Sequence, residues 1–155
     1  MFSYDKYRTK IKNLVIEDGV TRIESSAFSG CTSLERVTIG NSVTSIGNGA
    51  FYSCFGLTSV YITDIAAWCN ISFGTNESNP LYRAKNLYIN DELVTELVIP
   101  EGITYISSSA FNGCTGLTSV TIPNSVTSIG GAAFYDCSSL TIVTIGNSVT
   151  SIGDG

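Results

Sequence analysis

The feature that most constrains this chain is a unit of 23 residues repeated in tandem. Residues 34–56, LERVTIGNSVTSIGNGAFYSCFG, lie over residues 117–139, LTSVTIPNSVTSIGGAAFYDCSS, without a gap and with 15 identical positions. Residues 11–33 and 94–116 fit the same frame, and residues 140–155 begin a further copy. Self-similarity at a fixed period of this length is the mark of a repeat solenoid, in which each unit is one coil.

Each unit reads as a short path around a coil. Apolar residues at unit positions 1, 4 and 6, such as Leu117, Val120 and Ile122, end in a strand-like alternation of β-branched side chains. A turn rich in Gly, Pro, Asn and Asp follows, as in Pro123-Asn124-Ser125, and then a second extended stretch, Val126 to Ile129. A Gly- or Ser-rich step leads to Ala133-Phe134 and Cys137, spaced like one turn of helix. One such coil buries too few side chains to offset the entropy of ordering its backbone. Stability must therefore come from stacking, through strand pairing between coils and a continuous apolar spine. Phe28, Phe51, Phe111 and Phe134 are expected to form one row of that spine.

Residues 57–93 break the frame. The unit opens regularly with Leu57, Val60 and Ile62 but runs for 37 residues, one coil plus a 14-residue insertion. Asp64 is placed to cap a short helix carrying Ile65 and Trp68. A polar loop from Gly74 to Pro80 follows, then Leu87-Tyr88-Ile89 as a strand and Asn90-Asp91 as a tight turn. Departures from regularity in an array are frequent sites of function. The alternative is that Trp68 and Phe73 fill a wider coil, since a coil of different length needs large side chains to pack it.

Composition narrows the function classes. Hydrophobic residues make up 43% and charged residues 14% of the chain, which is too apolar for disorder. The net charge of -5 and the lack of a Lys/Arg stripe argue against nucleic acid as a partner. The densest basic stretch, Lys6 to Lys12, is expected to be a solvated chain end. No apolar run is long enough to predict a transmembrane segment, and the first residues lack the pattern of a signal peptide. The chain has no histidine, which removes the commonest general base and transition-metal ligand. No serine sits in a nucleophile-elbow pattern and no Gly-rich phosphate loop is present, so no catalytic residue, metal ligand or cofactor is predicted. Cys31, Cys54, Cys114 and Cys137 share one repeat phase. Neighbouring coils would hold such residues about 4.8 Å apart, near the disulfide range, yet a small buried apolar position is the usual place for a free thiol. Free buried cysteines are the expectation.

Positions 3 and 5 of the first strand should face outward as an extended, mostly uncharged sheet. The larger features on it are Arg36, Tyr61 and Glu96, among residues such as Thr38 and Thr121. With Trp68 and Tyr82 from the long unit, these form the candidate binding surface, because aromatic side chains with polar tips suit contacts with protein or sugar.

The pattern Leu-x-x-Val-x-Ile-Pro-x-x-Val-x-x-Ile-Gly-x-x-Ala-Phe-x-x-Cys, carried by Ala133-Phe134 and Cys137 after Ile129-Gly130 and by Ala50-Phe51 and Cys54, resembles the BspA-like, or treponemal-type, leucine-rich repeat. The resemblance covers about residues 11–155. It implies a leucine-rich-repeat solenoid, mainly β with short helical turns, whose 23-residue coils stack right-handedly. Residues 1–10 would be an N-terminal segment and residues 11–155 a single solenoid. The family implies an extracellular or cell-surface bacterial protein that adheres to matrix proteins or cells through a protein or glycan ligand, and it carries no catalytic residues. A passive spacer in a longer array is the alternative. The last copy stops at Gly153-Asp154-Gly155, where Ala and Phe would come next, so a longer array and self-association through exposed solenoid ends are expected.

Overall fold

The structure, a computed structural model, describes residues 6–155. The chain winds as a β-solenoid with two strand-bearing walls and a third wall of turns. The first wall carries β1 (Asn13–Ile16), β3 (Arg36–Ile39), β5 (Ser59–Ile62), β7 (Leu87–Ile89), β8 (Glu92–Leu93), β9 (Glu96–Val98), β11 (Ser119–Ile122) and β13 (Ile142–Ile145). The second wall carries β2 (Arg22–Ile23), β4 (Ser45–Ile46), β6 (Ser72–Phe73), β10 (Tyr105–Ile106), β12 (Ser128–Ile129) and β14 (Ser151–Ile152).

The sequence period reappears as hydrogen-bonded register. Asn13 pairs with Arg36, Arg36 with Ser59, and Ser119 with Ile142, all in parallel. Alternation then decides burial. In β3 and β5, Val37, Ile39, Val60 and Ile62 point into the core, while Arg36, Thr38, Ser59 and Tyr61 stay part-exposed. Threonines staple the stack: Thr58 Oγ1 donates to the Glu35 carbonyl at 3.1 Å, and Thr118 Oγ1 to that of Thr95 at 2.8 Å. The Gly step exists because neighbouring backbones nearly touch there. A Cβ at Gly47 would lie 2.5 Å from the Ser25 amide nitrogen.

The third wall departs from the helical turn expected around Ala133-Phe134 and Cys137. It is a succession of tight turns, with Ser29 N–H bonding Ser26 O and Cys31 N–H bonding Phe28 O. Residues of left-handed φ fall at the same two phases of successive coils, Ser109 (62°) and Gly113 (82°), then Ala132 (53°) and Asp136 (57°). Two such residues within five positions break any helix. The phenylalanines pack on this wall as two stacked pairs, Phe28–Phe51 at 5.5 Å and Phe111–Phe134 at 5.3 Å, rather than as one unbroken row.

The long unit interrupts that row. The 37 residues resolve into a coil that advances 27 residues, from Val60 to its partner Leu87, followed by a hairpin that delays the next regular strand. β7 and β8 pair antiparallel around Asn90 (φ 50°) and Asp91 (φ 66°), a turn of two left-handed residues that matches the twist of a hairpin. The expected single extended sheet is therefore two, β1-β3-β5-β7-β8 and β9-β11-β13, because β8 occupies the edge on which β9 would have paired. Asp64 caps α1 (Ile65–Cys69), accepting from Ala66 N at 2.8 Å and Ala67 N at 3.3 Å. The loop from Gly74 to Pro80 is not wholly solvated as expected: Ser78, Asn79 and Pro80 are buried. Asn79 Nδ2 donates to the carbonyls of Ser109 (2.7 Å) and Ala110 (3.0 Å), and its Oδ1 accepts from Leu81 N (2.8 Å) at the start of α2 (Leu81–Ala84).

Candidate functional site

Trp68 leaves the candidate surface. It is 1% exposed, its indole N–H donates to Ala110 O at 2.9 Å, and its ring meets Phe73 edge-on at 5.5 Å. A wider coil has more interior to fill, and the largest side chain in the chain fills it. The remaining candidates are divided among three places. Arg36, Thr38 and Tyr61 share the first sheet. Glu96 and Thr121 are exposed on the second sheet, beyond the hairpin. Tyr82 sits in α2, on the wall of turns.

The first sheet holds the most organised surface group. Tyr61 pairs in register with Tyr88, and their rings stack at 4.5 Å with an interplanar angle of 13°. The Arg36 guanidinium covers the other side of the stack, 3.4 Å from the Tyr61 ring centroid. Asp91, in the hairpin turn, ties Arg36 down through a 3.3 Å contact from Nη2. Parallel register places Tyr61 beside Tyr88, the hairpin brings Asp91 within reach, and the cation is attracted to the ring face. The result is a part-exposed strip of one guanidinium and two phenols whose side chains hold one another in place. Tyr88 and Asp91 were not among the residues singled out from the sequence. The signal was present for Tyr88, an aromatic in a strand, but only the 27-residue register sets it beside Tyr61.

At the break between the two sheets, Ile89, Asn90, Glu92, Leu93, Val94, Glu96, Leu97 and Val98 line a recess of about 460 Å³. A second recess of about 460 Å³ lies on the wall of turns, lined by Phe55, Tyr82, Arg83, Lys85, Tyr135 and Asp136. Of these six, only Tyr82 was singled out from sequence. The others come from three different units and converge only through stacking.

The cysteines are all free and buried. Cys54 Sγ points at Phe28 O (3.2 Å) and Cys137 Sγ at Phe111 O (3.3 Å). Burial pushes the Cys54 and Cys137 thiols up to about 11 and those of Cys69 and Cys114 up to about 12. A thiol held protonated in an apolar wall is packing material, not a nucleophile. Among the described residues no three His, Cys, Asp or Glu side chains gather as a metal site, and no helix is long and apolar enough to cross a membrane.

The chain matches the model of the BspA type leucine rich repeat region, with six copies over residues 3–79 and 83–155. No curated protein sequence matches it. Among solved structures it is similar to a leucine rich cell surface protein from Faecalibacterium prausnitzii, with 22% identity and a TM-score of 0.45 over 97% of this chain and 65% of that one. It is similar to a leucine-rich repeat protein from Bacteroides ovatus, with 28% identity and a TM-score of 0.43 over 92% of this chain and 45% of that one. A leucine rich repeat protein of T. pallidum shares 24% identity, with a TM-score of 0.45 over 93% of this chain and 71% of that one. The chain thus spans less than two thirds of the length of the first two. The sixfold match across nearly the whole sequence, with the paired registers of the strands, places this chain in the BspA-type leucine-rich repeat family.

Proposed function

We propose that this chain is a non-catalytic binding module of a bacterial cell-surface or secreted protein, and that it adheres to a protein of another cell or of a matrix through its first sheet. The surface placement follows from the family. The observation that supports the binding role is the Arg36–Tyr61–Tyr88 strip with Asp91. A spacer needs only the Thr, Ser and Val residues that the regular coils repeat at these positions. Arginine and tyrosine are enriched where interfaces concentrate their energy, and side chains already stacked lose little entropy when a partner arrives.

The test is a screen of the purified chain against immobilised matrix proteins and glycans, repeated with Tyr61→Ala and Arg36→Ala. Binding weakened at least about tenfold by either variant supports the reading, since loss of one such contact is worth more than 1.4 kcal/mol at a hot spot. Binding that ignores both substitutions overturns the assignment to this sheet. Absence of any ligand favours a passive spacer.

A further inference from the structure

The recess on the wall of turns is a second site, separate from the sheet strip and independent of the reading above. Its floor is opened by Gly113 (φ 82°), where a Cβ would lie 3.1 Å from Leu81 O and 3.2 Å from Lys85 Nζ. With no side chain in the way, Lys85 reaches across the intervening coil to Asp136 at 3.0 Å and fixes the rim. Aromatic faces stand on both sides: Phe55 and Tyr135 are 67% and 54% exposed, and Tyr82 is part-buried between them in sequence order.

Arg83 is the unusual group. Its guanidinium carbon lies 5.1 Å from the Phe55 ring centroid and 5.2 Å from that of Tyr82. Among the described residues no carboxylate pairs with it, and its Nε is buried without a hydrogen-bond partner. Beside Gly113, Asn112 is fully buried with neither amide atom partnered. Unmet polar groups beside a cavity of the size that small ligands occupy point to a ligand that meets them.

The chemistry of that ligand follows from the lining. One unneutralised guanidinium suits a single carboxylate, which it can grip with two parallel hydrogen bonds. A phosphate of two charges is less well matched, because Asp136 stands on the rim. The exposed rings suit the C–H face of a flat saturated ring, and the tyrosine hydroxyls, Lys85 and Asp136 suit hydroxyl groups. No free strand edge borders the recess to hold an extended peptide. We propose that the Phe55–Tyr82–Arg83–Tyr135 recess binds a monocarboxylated sugar, a uronic acid unit, with Arg83 on the carboxylate and the aromatic rings on the sugar face.

The probe is glucuronate, titrated calorimetrically or by NMR against the whole chain, with methyl glucoside, acetate, an acidic dipeptide and adenosine monophosphate as comparators. Glucuronate is expected to bind in the millimolar range and each comparator at least about tenfold more weakly. Arg83→Gln and Tyr135→Ala should each weaken glucuronate at least about tenfold, while Tyr61→Ala leaves it unchanged. Tyr135 is exposed, so its variant keeps the fold even where Arg83→Gln does not, and circular dichroism monitors both. No glucuronate binding to the parent chain overturns the proposal. So does equal binding of any comparator, or indifference to Tyr135→Ala. A negative screen of the sheet strip leaves this result standing, and loss of glucuronate binding in Tyr61→Ala assigns the ligand to the sheet and overturns the recess.

Discussion

The Arg36 guanidinium carbon lies 3.4 Å from the centroid of the Tyr61 ring, although in register Arg36 is paired with Ser59 and Tyr61 with Thr38. The contact is thus diagonal across two strands, and Asp91 holds the arginine from the other side at 3.3 Å. A contact of this kind at a part-exposed site contributes about 0.5–1 kcal/mol. A double-mutant cycle of Arg36→Ala and Tyr61→Ala, read by denaturant unfolding, should return a coupling of that size. Strict additivity of the two variants would show that the stack is not formed in solution.

Phe111 is fully buried and stacks on Phe134 at 5.3 Å. Phe111→Ala should lower stability by about 3–5 kcal/mol, the range for a large aromatic removed from a packed core. An unchanged thermal midpoint would remove Phe111 from the spine.

Asn79 is the polar hinge of the long coil. Its amide satisfies the Ser109 and Ala110 carbonyls and caps the Leu81 N–H. Asn79→Leu leaves the Ser109 carbonyl and the Leu81 amide without these partners and should cost about 2–4 kcal/mol, since each buried unmet group costs about 1–3 kcal/mol. Trp68→Phe should cost less, because Ala110 O keeps its bond from Asn79 when the indole N–H is lost. Chemical denaturation ranks the two variants, and the reverse order would refute Asn79 as the anchor.

The buried thiols set a pH limit. Burial raises Cys54 and Cys137 from 9.0 to about 11, and Cys69 and Cys114 to about 12. The folded chain keeps these protons where the unfolded chain releases them. Their contribution to stability is therefore whole below pH 9 and is lost as the pH rises through the folded values. Unfolding free energy should fall with pH above 9, with a shallower slope in Cys69→Ala/Cys114→Ala. A disulfide-exchange reagent at about pH 8 should label none of the five cysteines until the chain unfolds; prompt native labelling would contradict the burial.

Gly47 tests the close approach between coils. Its Cβ would meet the Ser25 backbone at 2.5 Å. The obstacle is main chain rather than a flexible side-chain end, so Gly47→Ala must spread two coils and should cost about 1–3 kcal/mol. A neutral effect on the melting midpoint would mean that the stack gives way freely at the Gly step.

The amino-acid sequence by itself determined the repeat, and with it most of the fold. Period 23 becomes register, and alternation within Arg36–Ile39 and Ser59–Ile62 assigns which side chains are buried, because a strand has only two faces. The Asp64 cap and the Asn90-Asp91 hairpin were equally legible, since both depend on neighbours within a few residues. Only the tertiary structure decided the rest. The spacing of Ala133, Phe134 and Cys137 fits a helical turn, but the stacked backbone demands left-handed residues there. Trp68 carries the polar tip of a binding residue, yet the interior volume of a 27-residue coil draws it inside. Tyr88 and Asp91 join Arg36 and Tyr61, and Phe55 and Tyr135 join Tyr82, through contacts between coils far apart in sequence. A repeat states its own period in the chain, whereas the surface groups depend on how many residues the irregular coil consumes before the next strand resumes the stack.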